Sequence, residues 1–373
     1  MVKSIFSTDV FVCGGGPAGL AAAIALRQRG FDVTIADYFR PPIDKACGEG
    51  LMPDSVAALR GLGVSLDGLE TGAFRGIRFV GSEHCSTADF PEGAGVGIRR
   101  TVLHQAMCER ARDLGIHTLW ETRVSGIGPD YVRIGAGGQV SCRWIVGADG
   151  NHSQIRRWAG LDSGRNLLCR IGVRRHYAVQ PWSEYVEIYW GERSQMYVTP
   201  IAPGEVCVAN ISRKRFSSFE AALREFPQLR ARLCNAEAVT PAKGAPTFTR
   251  RLRRVAQSNV ALIGEASGSC DAITGEGLAM AFRQAIALSD AMVSKDLNMY
   301  EREHRKIATL PQVMARAMLL MDGNGWVRDR ALRAFDAKPH LFQQLLSLHV
   351  GETSLARFGV GGTLSLGWNL LTA

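Results

Sequence analysis

The sequence predicts an α/β chain in which one α/β domain is interrupted by a second, antiparallel domain and followed by a helical C-terminal region. Three observations carry this reading. A short apolar strand, a glycine turn, an Ala-rich helix and a second strand follow one another at the start, as in a βαβ unit. Residues 170–179, 185–190, 195–201 and 205–210 alternate or are β-rich, with turn residues between them, as a meander requires. Beyond about residue 278 the pattern is mostly helical.

The elements are justified in chain order. Residues 9–13 are a buried strand, 14–19 a glycine turn, 20–29 a helix that stops at Gly30, and 32–36 the second strand. A helix follows over about 53–62. Residues 74–80 read as a strand of another sheet, and 101–114 as an amphipathic helix with Gly115 as its stop. Residues 122–146 read as a hairpin ribbon feeding back into a buried strand, and 260–264 as one more buried strand. The expected division is 1–73, 98–165 and 255–300 for the discontinuous first domain, 74–97 and 166–254 for the inserted sheet, and 301–373 for the helical end.

At 373 residues the chain suggests two to three domains. A 46% hydrophobic and 21% charged composition excludes a disordered chain. No run of about 18 apolar residues exists and the start lacks signal-peptide architecture, so a cytoplasmic protein is expected. The nine cysteines are odd in number and form no CxxC pair, which reads as reduced thiols and no metal site. The net charge is +9, and all but seven of the 44 basic residues are Arg. Biased GC-rich coding is one reading of this; attraction to anionic cofactors or membrane surfaces is the other. Only Arg250, Arg251, Arg253 and Arg254 cluster, so no nucleic-acid partner is expected.

The first chemical motif is Gly14-Gly15-Gly16-Pro17-Ala18-Gly19, a G-x-G-x-x-G between strand and helix. Gly14 permits the tight turn, Gly16 lets the backbone approach a pyrophosphate, and Gly19 lets helix and strand pack closely. The phosphates sit against free N–H groups and the positive end of the helix dipole. Asp37 ends the second strand, where a carboxylate accepts from ribose hydroxyls. A rival run, Gly93-Ala94-Gly95-Val96-Gly97, has its third glycine misplaced and no closing acid.

With this motif the chain resembles the flavoprotein monooxygenases of the p-hydroxybenzoate hydroxylase type, and is similar to the geranylgeranyl reductases that share their fold. The likeness runs from about residue 8 to 288 and implies a Rossmann-type FAD-binding domain. Gly147-Ala148-Asp149-Gly150, continuing through Ser153 to Arg156 and Arg157, resembles the family's "DG" fingerprint, whose Asp lies near the cofactor. Gly264-Glu265-Ala266-Ser267-Gly268, continuing to Thr274-Gly275-Glu276-Gly277-Leu278, resembles the "GD" fingerprint at the flavin ribityl and pyrophosphate. Arg100 sits where the family keeps a flavin-contacting Arg. Glu265 stands where hydroxylases usually carry Asp, and Ala272 where they usually carry Pro. The Thr-Gly-Glu-Gly run is more like the reductases. A helix starting at Glu276 would turn its N–H groups to the pyrimidine edge of the flavin. It would favour the reduced cofactor's negative charge there by roughly 0.3–1 kcal/mol, up to about 2 when partly buried.

The loop Lys45-Ala46-Cys47-Gly48-Glu49-Gly50 reaches the isoalloxazine in this fold. A Cys-Gly pair here recurs in the reductase-like branch and in hydroxylases associated with type III polyketide synthases, which implies secondary metabolism. Lys45, Cys47 and Gly48 are accordingly expected at the cofactor. In the meander, Tyr185, Glu187 and Tyr189 share one face, and Gln195, Tyr197 and Thr199 another; one such face should cover the flavin. Cys47, Tyr197 and Thr199 are the catalytic candidates; His176 reads as an ordinary packed histidine. The uncharged tail over 358–373 is too short to span a bilayer. Packing on the helices, capping the substrate entrance and peripheral contact with a membrane are its three readings. Whether the chain is a monomer or a dimer is not legible.

The resemblance implies an FAD enzyme with NAD(P)H as transient reductant. The favoured reaction is hydroxylation of a lipophilic polyketide, phenolic or quinonoid ring through a flavin hydroperoxide; the alternative is reduction of isoprenoid double bonds.

Overall fold

The computed structural model describes residues 5–163, 166–213 and 215–352. The strand Phe6–Cys13 lies between two parallel partners, Val33–Ala36 and Gly138–Gly147, so that Val10 pairs with both Val33 and Trp144. A strand covered on both faces needs consecutive apolar residues rather than alternating ones; Val10, Phe11, Val12 and Cys13 are all at most 1% exposed. Among the described residues the sheet runs Ala256–Gln257, Val260–Leu262, Gly138–Gly147, Phe6–Cys13, Val33–Ala36, His117–Leu119. The region expected as a ribbon feeding a buried strand is Val124–Ile127 and Tyr131–Ile134 hairpinned onto Gly138–Gly147. The helix Pro17–Gln28 buries Leu20 to Leu26. Its run of alanines lets it lie close against the sheet and the helix Gly277–Val293.

A second sheet is ordered Glu237–Ala238, Asn166–Ala178, Glu205–Ser212, Ser194–Ala202, Tyr185–Trp190, Gly76–Val80, Cys85–Asp89, with Lys243–Arg250 added on Asn166–Ala178. It is antiparallel except where Tyr185–Trp190 runs parallel to Gly76–Val80, which with Cys85–Asp89 is added from a chain segment far upstream. A separate three-stranded patch, Gly50–Leu51, Gly95–Gly97 and Gly72–Phe74, packs against the strand Ser194–Ala202 of the second sheet. The rival glycine run belongs here. A Cβ at Gly97 would sit 1.8 Å from the Pro200 carbonyl oxygen, so these glycines serve close strand packing.

Both faces of the second sheet are covered. Ile188, Tyr197, Ala209 and Ile211 pack under Met318, Phe335, Phe342 and Leu346 of the C-terminal helices. Tyr189, Met196, Val198 and Val208 pack under the short helices Phe219–Leu223 and Pro227–Leu233, which the sequence pattern had not shown. The end of the chain is helical as expected, over Leu297–Gly323, Gly325–Ala337 and Pro339–His349. All nine cysteines are free. Among the described residues no helix is long and apolar enough to cross a membrane. The tail over 358–373 lies outside the described residues.

Candidate active site

The glycine turn divides its labour physically. Gly14 holds φ +112°, and a Cβ there would meet the Ala148 carbonyl oxygen at 2.4 Å. A Cβ on Gly19 would lie 1.8 Å from the Gly14 carbonyl oxygen, so helix and turn touch through bare backbone. At Gly16 a Cβ would meet nothing within 4 Å: this face of the turn is open. Pro17 takes the first helical position, where its missing N–H costs nothing. The helix Pro17–Gln28 has no side-chain cap and no acid in its first turn, which leaves its N-terminal N–H groups without a side-chain partner on that open side. Asp37 follows Val33–Ala36. Its Oδ2 accepts from Gly15 N at 2.6 Å and its Oδ1 from Phe39 N at 2.8 Å. Each oxygen keeps a second acceptor site.

The other two motifs arrive from the adjacent strands. Asp149, just past Gly138–Gly147, caps the helix Gln154–Trp158 through Oδ2, while its buried Oδ1 has no partner. Arg156, 1% exposed, ties this turn to the next motif by donating to Ala266 O at 3.1 Å and Asn151 O at 2.8 Å and pairing with Asp162. Gly264 holds φ +59°, and a Cβ there would press on Ala18 at 2.7 Å. Glu265 pairs with Lys45 at 2.5 Å, joining the third motif to the loop. Gly275 takes φ +72°, and both it and Gly277 face open space. From there the helix Gly277–Val293 starts with no side-chain cap and no acid in its first turn, and Leu278 anchors on the first core.

The loop at 45–50 is pinned by a cluster that the sequence did not reveal. Glu49, 3% exposed and at φ +60°, accepts from Arg100 N at 2.9 Å and meets His176 Nε2 at 2.6 Å. His176 Nδ1 continues to Thr240 Oγ1 at 3.0 Å. Arg174 lies 3.8 Å from Glu49 and binds Asp44 at 2.6 Å. So His176, expected as an ordinary packed residue, is the buried partner of a loop carboxylate 127 positions away. Glu49, His176 and Cys207 bring their donor atoms within 4.8 Å of one another. The Arg174 guanidinium already supplies the positive charge there, which makes this a hydrogen-bonded cluster.

The catalytic candidates sit on this scaffold. Thr199 donates to Gly48 O at 2.8 Å, and Tyr197 to Ile273 O at 2.8 Å. Burial pushes the Tyr197 phenol far above its ordinary range. Both hydroxyls therefore hold backbone beside the site. Cys47, half-buried, accepts from Glu49 N at 3.4 Å through its sulfur. The face bearing Tyr197 is the one turned to this site. Glu187 and Tyr189 lie on the opposite face, where Glu187 binds Tyr189 at 2.7 Å, Trp182 at 2.8 Å and Arg78 at 3.1 Å.

Beneath Ala272 runs a second buried network. Arg170, fully buried, binds Asp271 at 3.0 Å, Gln195 at 2.5 Å and Asp322 at 3.4 Å. Asp271 also accepts from Ile273 N at 3.0 Å, so this network sets the turn that leads to Gly275.

These residues fit FAD. The open face of Gly16, two uncapped helix N-termini, the unpartnered buried Asp149 Oδ1 and the unpartnered buried Arg100 Nε all lie in the three motifs or beside them. Titration of the supporting shell is expected to show in stability. His304 binds Ser267 Oγ at 2.9 Å, and burial lowers its pKa to about 4. Here the folded value is depressed below the usual 6.5 of a histidine, so the unfolded chain binds the extra proton first and stability falls as pH drops from about 6.5 to about 4. The urea midpoint of the apo-protein should decline over that window, and decline less in His304→Gln. An equal decline in both proteins would remove His304 from this account.

Residues 7–317 match the FAD binding domain family. The menaquinone reductase of Mycobacterium tuberculosis is 27% identical over 323 residues, covering 78% of each chain. The 3-demethoxyubiquinol 3-hydroxylase of Escherichia coli is 26% identical over 326 residues, covering 77% of this chain and 80% of the relative. Among solved structures, a flavoprotein/dehydrogenase from Cytophaga hutchinsonii superposes with a TM-score of 0.81 at 19% identity, covering 92% of this chain and 93% of its own.

Proposed function

The chain belongs to the FAD binding domain family and is an FAD-dependent oxidoreductase, and from this we propose that it is a monooxygenase hydroxylating a lipophilic phenolic or quinonoid ring, with NAD(P)H as reductant. The overall balance is ring C–H plus O2, NAD(P)H and a proton to ring C–OH, water and NAD(P)+. Bound FAD would relay the two electrons from NAD(P)H to oxygen. The chain's own part is to bind and enclose. Gly16 and the helix Pro17–Gln28 receive the diphosphate, Asp37 the ribose, and the N–H groups from Gly277 onward the pyrimidine edge. Met318, Phe74 and Ile273 belong to the apolar cluster beside the loop and the Ala272 turn, where a lipophilic ring would be sheltered from water.

The observation that supports hydroxylation is that the hydroxyls and the carboxylate nearest the loop are already engaged. Tyr197 and Thr199 spend their protons on backbone carbonyls, and Glu49 spends its carboxylate on Arg100 N and His176. Saturating an isolated double bond needs an acid to protonate carbon, whereas an electron-rich ring attacked by an oxygen electrophile does not.

A second reading is reduction of an isoprenoid double bond. Cys47 favours it, since its thiol proton is given to no acceptor among the described residues. So does the likeness to a protein named menaquinone reductase. One experiment separates the two. FAD-loaded protein with NAD(P)H, a phenolic lipophile and labelled O2 should give product carrying the label, and should leave polyprenyl substrates unreduced without oxygen. Fast anaerobic saturation of a prenyl chain, with oxygen consumed only uncoupled, would overturn the hydroxylase reading.

A further inference from the structure

Behind the uncapped N-terminus of the helix Gly277–Val293 lies a carboxyl with no part in the reaction proposed above. Glu276 is 2% exposed, and its Oε2 has no hydrogen-bond partner. The nearest polar atom recorded for it is His349 Nδ1 at 3.7 Å, also buried and also unpartnered. His349 ends the helix Pro339–His349, so the last described helix closes the rear of the turn. The other ionisable groups facing Glu276 are Asp54 of the helix Pro53–Gly61, Arg283 about two turns along its own helix, and Cys270. Arg283 is engaged with Asp54. An ionised Glu276 would thus be a buried anion lacking a donor, beside a second carboxylate. A neutral one leaves no charge unpaired beside His349. Burial first, and Asp54 next, raise the Glu276 pKa to about 8, while burial lowers that of His349 to about 4. Near neutrality the pair therefore holds one proton, on the carboxyl.

We propose that Glu276 is a proton-binding site coupled to reduction of the flavin: it takes up one proton when two electrons enter the cofactor held in front of the same helix terminus. This rests on the reading that the N–H groups from Gly277 onward face the pyrimidine edge. A reductant supplies two electrons, and one proton from solvent enters the cofactor, which is left with one negative charge. That charge, added in front of the helix, makes an anion behind it more costly. A second solvent proton then stays on Glu276. Two protons are taken up per two electrons wherever Glu276 is ionised in the oxidised protein and neutral in the reduced one.

The test is the pH dependence of the potential of FAD-loaded protein, titrated with dithionite against reference dyes from pH 7 to 10. A tenfold change in proton activity moves a two-electron couple by about 30 mV for each proton taken up. The wild-type potential should fall by about 60 mV per pH unit over a window opening near pH 8, and by about 30 mV beyond it. Glu276→Gln should fall by about 30 mV throughout. A uniform one-proton slope in the wild type, or a steep window surviving in Glu276→Gln, would overturn the proposal. Proton uptake by the wild type alone, read with an indicator dye in weak buffer inside the window, should be two per FAD; one would overturn it. A failure of the FAD reading itself shows earlier and separately, as a protein without a bound-flavin spectrum.

Discussion

Gly16→Val should yield a protein that melts like the wild-type apoprotein but does not hold FAD, whereas Gly19→Ala should fail to give a stable fold. Both changes fall in one six-residue turn. The Gly16 Cβ position is open, so valine meets only the space the diphosphate needs. The Gly19 position lies 1.8 Å from the Gly14 carbonyl oxygen, and backbone cannot step aside as a flexible side chain can. Overpacking of this kind costs about 1–3 kcal/mol in an ordinary core, and more where backbone must move. Asp37→Ala completes the set. It removes an acceptor for the ribose and also releases Gly15 N, and losing a hydrogen bond to a charged group costs roughly 1.5–3 kcal/mol, about ten- to a hundredfold in FAD affinity. Thermal melts and FAD titration read all three. Undiminished FAD affinity in both Gly16→Val and Asp37→Ala would move the cofactor elsewhere.

The second large effect is expected at Arg170. Arg170→Met leaves Asp271 and Asp322, 3% and 7% exposed, without their shared cation. Removing one partner of a buried ion cluster typically costs about 3–5 kcal/mol; here, among the described residues, Asp271 is left without a cation while Asp322 keeps only Arg213. At roughly 2–4 °C per kcal/mol for a sizeable domain, the melting point should drop by about 10 °C. Adding Asp271→Asn and Asp322→Asn should recover part of that loss, since no anion is then stranded. If the single variant melts within a degree or two of wild type, the cluster is not the brace described here. If the triple variant is no better than the single, lost packing rather than stranded charge is the cause.

What was legible in the sequence was local. The first strand, the glycine turn, its helix and the closing acid lie within 40 residues, and each is dictated by short-range sterics and periodicity. The meander strands showed for the same reason, and their alternation grouped Tyr197 and Thr199 on one face without telling which face turns to the site. The Glu49–His176 pair and the Arg170 cluster were not legible. Their members lie 127 and 152 positions apart at the extremes, and only the folded topology brings them together. A buried ion pair leaves no periodic trace: Glu49 sits in a loop, and His176 alternates in its strand like any half-buried residue. The parallel pairing of Gly76–Val80 with Tyr185–Trp190 escaped for a related reason, since strand order is a property of the whole chain.

The stretch matching the family ends at residue 317, and Asp322 stands five residues beyond it. The positive charge of Arg170, buried in the middle of the chain, is therefore balanced in part by a carboxylate from the region outside the match, on which Arg213 also depends at 2.9 Å. A chimera that joined this chain's first 317 residues to the helical end of a relative would keep the Arg170–Asp271 pair but lose the carboxylate that Arg170 and Arg213 share. Its success would depend on whether the donor helix carries an acid at the same depth, so the helical end and the sheet it covers form one unit of exchange.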